Sequence, residues 1–409
     1  MIKRIFFIII FFICYNFQGQ EGTSSPYSFY GIGNLKFKGT TENRAMGGLS
    51  IYTDSIHMNF RNPASYAGNN MSSFNNEARL VKFTVGIGHT TTELETSDSS
   101  DNANTSYTSN VAPGTFNQTY YSISRGYNGK FTANVGAQYS EKLYLGVNLN
   151  GHFVDYDNYN ILEESNTNGQ SGSLHITNIN FENRLSGFGG GFSFQLGTIA
   201  KLNDWLRLGV TYDSPVWYSI KEETRQYLAT RFVDQSDEET TVVLDPNAIN
   251  VFEEYTIQTP SKITGSLAVI INKLGLISFD YSRKDYSKME FRTSDGFEVS
   301  WMDDLNWEIN DNLTVANSYK IGAEIRANSL SYRAGYRIDE SPYRNTDYYS
   351  DRKGFSLGIG YKFRSNSIDL SFEKYNKQYK HQLYDAGLTN QASIDNNNTI
   401  IKLSISSIL

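Results

Sequence analysis

The 409-residue chain contains very little cysteine and proline. Its one cysteine, Cys14, lies in an apolar stretch near the amino terminus, so the rest of the chain has no thiol for a disulfide, for thiolate catalysis or for cysteine-ligated zinc. Proline occurs only 7 times, while tyrosine (29) and phenylalanine (25) are abundant. This composition predicts extensive β-sheet, because aromatic residues favour strands and proline interrupts them.

The chain also lacks an excess of positive charge. Its formal net charge is −7, and no charge-rich or proline-rich linker divides it into separate domains. Binding to nucleic acid depends on neutralising phosphates with basic side chains, so this balance gives no support for a nucleic-acid partner. We interpret the chain as one large unit.

Long hydrophobic runs are absent after the first twenty residues. Residues 1–20 begin with the basic sequence MIKR and continue with the apolar run IFFIIIFFICY, which is too short to span a bilayer as a helix. We interpret residues 1–20 as a signal peptide; a lipoprotein signal is disfavoured because Ile13 precedes Cys14 where a small residue is needed. The absence of a later apolar run excludes a helical membrane protein, but it leaves open a β-barrel, whose strands are only half apolar.

Twelve segments of the chain alternate apolar and polar residues. The sequence KGFSLGIGYKFR, for example, places Phe355, Leu357, Ile359 and Tyr361 on one face of a strand and glycine, serine and basic residues on the other. In a soluble sandwich the polar face would be rich in lysine, glutamate and threonine. A face of glycine, serine and isolated charges instead favours an all-β fold, a transmembrane antiparallel outer-membrane β-barrel whose polar interior is filled and whose apolar face meets lipid.

The connections between these segments alternate between short and long. Short connections are predicted near residues 140–143, 202–204, 272–275, 327–328 and 365–366, and long ones at roughly 92–127, 158–180, 220–251, 291–315, 339–352 and 378–395. Outer-membrane barrels show this alternation, with short turns in the periplasm and long loops at the cell surface. An even number of strands then places both termini in the periplasm.

Residues 21–77 precede the predicted barrel at 78–409. This amino-terminal segment is marked by glycine, asparagine and proline and has neither strand alternation nor helical periodicity, yet it carries too many apolar residues for a disordered tail. We predict that it forms a hatch inside the barrel, packed against glycine-lined strands.

Three short motifs carry a resemblance to a known family. The sequences RAMGG (44–48), NPA (62–64) and YRAGYRIDESPY (332–343) resemble the FadL/TodX type of outer-membrane long-chain fatty acid transporters, in particular the versions common in Bacteroidota. The resemblance implies a hatch that plugs a fourteen-strand barrel in the outer membrane of a Gram-negative bacterium. Together with our own count it predicts twelve to fourteen strands. The ligand and hatch residues that it implies are Met46, Gly47, Gly48, Asn62, Pro63 and Ala64.

Charged residues on the inward faces of the strands form a second predicted site. Buried charges are costly without partners, so we expect these residues to pair with one another and with hatch residues such as Glu42, Asp54 and Arg61. The network is predicted to contain Arg61, Lys320, Glu324, Arg333, Arg337, Lys362, Asp369 and Glu373, with Arg326 and Arg364 close by. It would either fix the hatch in place or act as a polar gate.

The chain contains no pattern typical of an enzyme. Its five histidines are scattered, and neither H-E-x-x-H nor G-x-S-x-G occurs, so we predict no catalytic residue, no bound metal and no cofactor. Two functions remain open. One is passive uptake of hydrophobic small molecules such as fatty acids, and the other is a non-enzymatic barrel subunit of an outer-membrane protein assembly or secretion complex. The expected partners are outer-membrane lipid, together with the hydrophobic molecule or the other subunits.

Overall fold

The structure, a computed structural model, describes residues 40–51, 61–65, 82–97, 111–112, 114–140, 142–171, 175–234, 238–272, 274–293, 300–347, 349–364, 366–382 and 391–408. The predicted signal peptide at 1–20 and much of the predicted hatch, including Asp54, lie outside these residues. The division of the chain at residues 20 and 77 therefore stays a prediction. No helix in the described ranges is long and apolar enough to cross a membrane.

Nearly all of the described chain belongs to one antiparallel sheet of 17 strands. The strands are β1 (Lys82–Ser97), β2 (Phe116–Tyr139), β3 (Leu143–Asn166), β4 (His175–Lys201), β5 (Leu206–Asp213), β6 (Trp217–Val233), β7 (Glu239–Leu244), β8 (Asn250–Val251), β9 (Tyr255–Gln258), β10 (Lys262–Ile271), β11 (Gly275–Asp285), β12 (Glu290–Thr293), β13 (Val315–Ala327), β14 (Leu330–Asp339), β15 (Arg352–Phe363), β16 (Asn366–Gln382) and β17 (Gln391–Ile408). The helices are α1 (Thr41–Ala45) and α2 (Ser300–Asn312), and short 3₁₀ turns occur at Pro63–Ser65 and Tyr286–Lys288.

Within the described residues these strands form the twelve walls of a barrel, because three walls consist of two strands each and because β7 and β8 lie in the connection between β6 and β9. The two-part walls are β5 with β6, β10 with β9 and β11 with β12. Successive walls pair antiparallel from β2 round to β17, and β17 pairs with β1. The predicted antiparallel outer-membrane barrel is confirmed, and twelve walls lie within the predicted range of twelve to fourteen strands.

The barrel is inverted relative to a soluble β-protein. On β15 the side chains of Phe355, Leu357, Ile359 and Tyr361 are 40% to 50% exposed, whereas Ser356, between them, is 1% exposed. Successive side chains of a strand point to opposite faces, so the apolar row faces outward and the small polar row faces the interior. The same arrangement occurs on β3, where Leu145, Val147 and Leu149 are exposed and Asn148 is buried.

Two adjacent walls are each interrupted at the same height along the barrel, and a proline lies at each interruption. Pro215 lies between β5 and β6, and Pro260 lies between β9 and β10; proline cannot donate a hydrogen bond to a neighbouring strand. The Val216 amide donates to the Thr259 hydroxyl at 2.9 Å and the Thr259 amide donates to the Val216 carbonyl at 3.0 Å, which holds the two breaks together. Beyond them β9 pairs with β6 on one side and with β12 on the other.

The two ends of the barrel carry different connections, as predicted. One, called the short-turn end here, has short connections of two to four residues after Tyr139, Lys201, Ile271, Ala327 and Phe363. Ser140, Asn272, Asn328 and Arg364 have φ between 46° and 55° at four of these turns, as tight hairpins require. Arg364 is thus an exposed turn residue, and the prediction that it faces the interior is wrong.

At the other, long-loop end, the strands continue further than the sequence indicated. Residues 116–127, 158–166 and 175–180, which we assigned to connections, belong to β2, β3 and β4. These strands have 24, 24 and 27 residues, although about 9–11 residues suffice to cross a membrane. The extra residues form a sheet that projects past the apolar band. Because this sheet has polar surroundings on both faces, its strands lack the alternation of apolar and polar residues from which strands were predicted.

Candidate functional site

Two short segments of the hatch fill the barrel interior in its short-turn half. Residues 40–51 contain α1, which ends at Ala45 and is followed by Met46 and then by Gly47 and Gly48, both with φ of +76°. Left-handed glycines are a common end for a helix because they carry no Cβ. The chain then turns, so that Met46 and Leu49 pack with Leu276 of β11. The second segment, residues 61–65, places Ala64 with Ile51 against Tyr144, Ile199 and Ala268 of the walls.

Glycines on the inner faces of the walls allow the hatch backbone to approach closely. A Cβ on Gly335 would lie 2.4 Å from the Gly47 nitrogen, and one on Gly146 would lie 2.2 Å from the carbonyl carbon of Pro63. Neither contact can be relieved by a side-chain movement, because the obstructing atoms are backbone. At Gly322 the nearest atom is likewise backbone, the Met46 carbonyl oxygen at 2.4 Å, whereas at Gly197 and Gly358 the nearest atoms belong to the side chains of Asn62 and Ala45. The glycine-rich inner face therefore fits the shape of the two hatch segments.

The strongest polar contact between hatch and wall is a buried ion pair. The Arg44 guanidinium donates from Nε to Glu373 Oε1 at 2.5 Å and from Nη2 to Oε2 at 3.0 Å, and these side chains are 3% and 0% exposed. Nearby, the Gly47 amide donates to the Ser356 hydroxyl, which itself donates to the Ala45 carbonyl. The Arg44 guanidinium thus contacts both oxygens of the Glu373 carboxylate, and such a two-point contact fixes both the distance and the relative orientation of the two groups.

The second hatch segment is held by amide side chains. The Asn62 Oδ1 atom accepts a hydrogen bond from the Ala64 amide, and its Nδ2 donates to the Thr198 carbonyl at 3.2 Å. Asn134 donates to the Pro63 carbonyl at 3.3 Å, and Gln195 donates to the Arg61 carbonyl at 2.8 Å. The predicted hatch residues Met46, Gly47, Gly48, Asn62, Pro63 and Ala64 thus all lie where hatch and wall meet.

A second buried charge cluster lies closer to the short-turn end. Arg333 binds Glu324 through Nε at 2.6 Å and Asp369 through Nη1 at 2.6 Å, and the three side chains are at most 3% exposed. Ser367 donates to the other oxygen of Asp369, while Arg326 binds Glu324 from a partly exposed position. Because each buried carboxylate has a cationic partner, the cluster avoids the penalty of an isolated charge.

Arg61 connects the hatch to charges further along the barrel. Burial and the like charge of Arg337 lower the pKa of Arg61 to about 10, while the carboxylates of Asp280, Asp339 and Asp213 raise it. Arg61 therefore lies among acidic wall residues and remains protonated at neutral pH. It also packs against the first hatch segment, since a Cβ on Gly48 would lie 2.9 Å from its Nη2.

The remaining residues of the predicted charge network have different positions. Lys320 is buried and its ammonium group approaches the Gly48 carbonyl at 3.4 Å. Arg337 binds Asp339, which also accepts hydrogen bonds from Arg352. Lys362 is exposed near the end of β15.

Sequence reasoning missed several residues of the site. Arg44 lay within the family motif, but nothing local indicated that its partner was Glu373, 329 positions away. Asp280, which accepts the Ser50 amide at 2.7 Å, and Asp339 both lie on polar inner faces of alternating strands. Strand alternation would have identified these two as inward-facing, had it been applied to every charge. No group of three or more metal-ligating side chains suited to a metal ion occurs within the described ranges.

The long-loop half of the interior combines a cluster of apolar side chains with buried charged groups such as Arg337, Asp339 and Arg352. Helix α2 contributes Met302 and Ile309 to a cluster of buried side chains, called the apolar cluster here. The other members are Val154, Tyr156, Tyr218, Ile220, Tyr255, Ile257, Tyr286, Met289, Phe291, Leu313 and Ala316. Asn306 of α2 binds the backbone of Phe291 on β12 twice, accepting from its amide at 2.8 Å and donating to its carbonyl at 2.9 Å. The helix therefore covers an edge of the broken wall.

An exposed apolar strip adjoins this cluster in sequence. Between β6 and β9, the connection bearing β7 and β8 exposes Val242, Val243, Leu244, Ile249, Val251 and Phe252 by 45% to 74%. The strip leads directly into β9, whose Tyr255 and Ile257 belong to the apolar cluster. Exposed apolar side chains concentrated in one connection can mark a site of binding when they form a common surface.

Comparisons with known proteins agree with this architecture. In the solved structures, a Pseudomonas aeruginosa FadL homologue is 12% identical, with 90% of this chain and 98% of that chain covered and a TM-score of 0.50. The Ralstonia pickettii toluene transporter TbuX is 13% identical, with 92% and 99% covered and a TM-score of 0.50. At these identities the likeness shows the fold alone.

Sequence comparisons identify the family. The outer membrane protein NMB0088 of Neisseria meningitidis serogroup B is 23% identical over 201 residues, which are 44% of this chain and 40% of that protein. Residues 1–126 match the family model named BamG. Residues 128–399, about two thirds of the chain, match the model of the outer membrane protein transport proteins (OMPP1/FadL/TodX). The chain therefore belongs to the OMPP1/FadL/TodX family of outer membrane transport proteins.

Proposed function

We propose that this protein is a non-enzymatic channel for passive uptake of hydrophobic small molecules across the outer membrane of a Gram-negative bacterium. The short turns and both termini would lie in the periplasm, and the long loops would lie at the cell surface. The observation that carries the proposal is the position of the apolar cluster. It lies in the long-loop half of the interior, beside the buried Arg337, Asp339 and Arg352, and its β9 members Tyr255 and Ile257 follow the exposed strip at residues 242–252 along the chain.

The strip and the cluster suit successive steps for an apolar ligand. Binding at the strip would remove apolar surface from water, at about 25 cal/mol for each Å² buried. The cluster would offer a second apolar environment at the end of β9. Between the cluster and the periplasm lies the hatch, whose charged and amide contacts would have to separate before a ligand could pass.

Uptake by proteoliposomes tests the proposal. Liposomes containing the full-length processed protein and an internal fatty-acid sensor should take up a long-chain fatty acid faster than protein-free liposomes. Leu244→Ser with Ile249→Ser should reduce the rate severalfold, because the strip loses two apolar side chains. Leu202→Ser with Leu274→Ser is a matched control, since these leucines are similarly exposed but lie at the short-turn end. Uptake no faster than in protein-free liposomes would overturn the proposal.

A second candidate is a barrel subunit of an outer-membrane protein assembly or secretion complex. The tight fit of the hatch favours it, because the buried ion pair and the backbone contacts at wall glycines hold the described hatch segments closed. Gentle purification from native membranes separates the candidates. Protein partners in fixed stoichiometry, together with no uptake in liposomes, would favour the subunit.

A further inference from the structure

We propose that the outward face of β2, β3, β4 and β6 carries a binding site for a phosphorylated glycolipid of the outer membrane leaflet. The site consists of a cleft of about 560 Å³, called the arginine cleft here, and an apolar furrow below it. Residues that line the cleft include Arg125, Asp157, Tyr159, Arg184, Arg225 and Tyr227. The inference rests on the proposed orientation, in which the long-loop end faces the outside.

The cleft lies just beyond the apolar band of the barrel. On β4 the exposed outward residues run from Leu196 and Phe192 to Phe188, and the next outward positions are Ser186 and Arg184. From Phe188 to Arg184 is about 13 Å along the strand, at about 3.3 Å for each residue. The change from aromatic to charged side chains over this distance is typical of the level where acyl chains give way to lipid headgroups.

Two arginines of the cleft stand directly opposite each other. Arg184 of β4 pairs in register with Arg225 of β6, and their side chains are 58% and 50% exposed. Like charges at opposite positions of an antiparallel pair destabilise the sheet, with Cβ atoms about 4.5–5.5 Å apart. An anion bound between the two guanidinium groups would remove this repulsion.

The carboxylates at the cleft have donors of their own, and Glu182, which also lines it, accepts hydrogen bonds from the Tyr159 hydroxyl and the Asn180 side-chain amide. Arg184 uses Nε and Nη2 to bind Asp157 at 2.8 Å and 2.9 Å, and Arg225 binds Asp245 through Nη2 at 3.2 Å. A guanidinium has five N–H donors, so each arginine retains donors for a phosphate. Arg125 of β2 pairs in register with Asp157 of β3, and its side chain is exposed. It adds a third cation to the same face.

The furrow below the cleft suits an acyl chain. Gly151 faces outward on β3, and a Cβ added there would meet no atom within 4 Å. Its partners in register, Phe131 and Phe192, are 76% and 48% exposed. Phe153 lies one outward position closer to the cleft than Gly151 on β3, and Phe188 lies two outward positions closer than Phe192 on β4. A lipid could therefore place a chain between these rings while its phosphate reaches the arginines. This continuity of apolar and cationic surface favours a phosphorylated glycolipid over a soluble anion.

Native mass spectrometry of the full-length processed protein in detergent tests the inference. The probes are bisphosphorylated lipid A, the same lipid after enzymatic removal of its phosphates, and inorganic phosphate. The wild type should bind the phosphorylated lipid at least about tenfold more tightly than the dephosphorylated one, since charge-assisted hydrogen bonds to phosphate are lost. Arg184→Gln with Arg225→Gln should abolish this preference.

Matched variants make the test specific. Arg231→Gln with Arg292→Gln removes two equally exposed arginines outside the cleft and should preserve the preference. Gly151→Leu should fill the furrow and weaken lipid A binding severalfold, whereas Gly265→Leu, also at an open position, should not. Heat-modifiable mobility on gels verifies that each barrel is folded.

The inference is overturned if both lipids bind equally, if the two arginine pairs have the same effect, or if inorganic phosphate binds as tightly as lipid A. Lipid binding in detergent requires neither transport nor a particular orientation. Loss of lipid discrimination with normal fatty-acid uptake would thus refute the lipid site alone, and the reverse result would refute the channel alone. Labelling of Glu239→Cys by a membrane-impermeant maleimide on intact cells tests the orientation separately, and the proposed orientation predicts that it is labelled.

Discussion

The ion pair between Arg44 and Glu373 should keep the hatch closed, and Arg44→Met tests this directly. The substitution leaves the Glu373 carboxylate 0% exposed without its guanidinium partner. Removing one member of a buried ion pair costs about 3–5 kcal/mol, and about 1.4 kcal/mol changes an equilibrium tenfold. If the hatch opens as a unit, the open fraction should therefore rise by at least about two orders of magnitude.

A single reporter cysteine measures this opening. Cys14 is the only natural cysteine and lies in the predicted signal peptide, so Ser50→Cys gives one reporter in the processed chain. Residue 50 is 4% exposed in the closed hatch. In the Arg44→Met background, maleimide labelling of this position should accelerate at least about 100-fold, and the ion conductance of planar bilayers should rise with it.

Two further variants decide whether the reasoning is correct. Arg44→Met with Glu373→Met removes both charges and should restore slow labelling, because apolar replacement of a buried pair is often neutral or stabilising. Arg326→Met is the matched control; Arg326 is 42% exposed and Glu324 retains Arg333, so the expected cost is only about 0–1 kcal/mol. Labelling of Arg44→Met at the wild-type rate, with wild-type conductance, would refute the role of the ion pair.

Three other perturbations address the wall, the lipid face and the apolar cluster. Gly146→Ala should displace the hatch and accelerate reporter labelling, whereas Gly151→Ala on the same strand should leave the labelling rate unchanged; equal effects would contradict the close-contact account. Leu357→Arg should lower the free energy of unfolding in bilayers by about 2–4 kcal/mol, and Phe363→Arg, beside a short turn, by about 0–1 kcal/mol, as measured by denaturant titration. Asn306→Ala should release α2 from β12 and increase its proteolysis, while unaltered cleavage would show that its two hydrogen bonds do not hold the helix.

Parts of the site could be predicted because strand periodicity assigns a face to each residue. Glu324 and Arg333 lie on walls joined by a two-residue turn, so alternation and hairpin register together place them side by side. Asp369 lies two walls away, and the long Arg333 side chain reaches it across the intervening β15. Lys362 follows the same alternation, but its position at the end of β15 places it outside the buried cluster. Periodicity predicts the face of the strand on which a residue lies, whereas the position of that residue along the barrel depends on where the strand ends.

The sequence by itself determined the inverted barrel. Period-two alternation with a small polar face, together with alternating short and long connections, has few solutions other than strands that cross a lipid bilayer. Only the tertiary structure decided which groups meet inside. The Arg44 and Glu373 side chains meet because the segment at residues 40–51 packs inside the barrel against β16. The level of the wall breaks places α2 over β12, and the facing arginines depend on strand extensions that carry no apolar alternation. Local pattern fixes which way a side chain points, but its partner depends on the register of strands far apart in the chain.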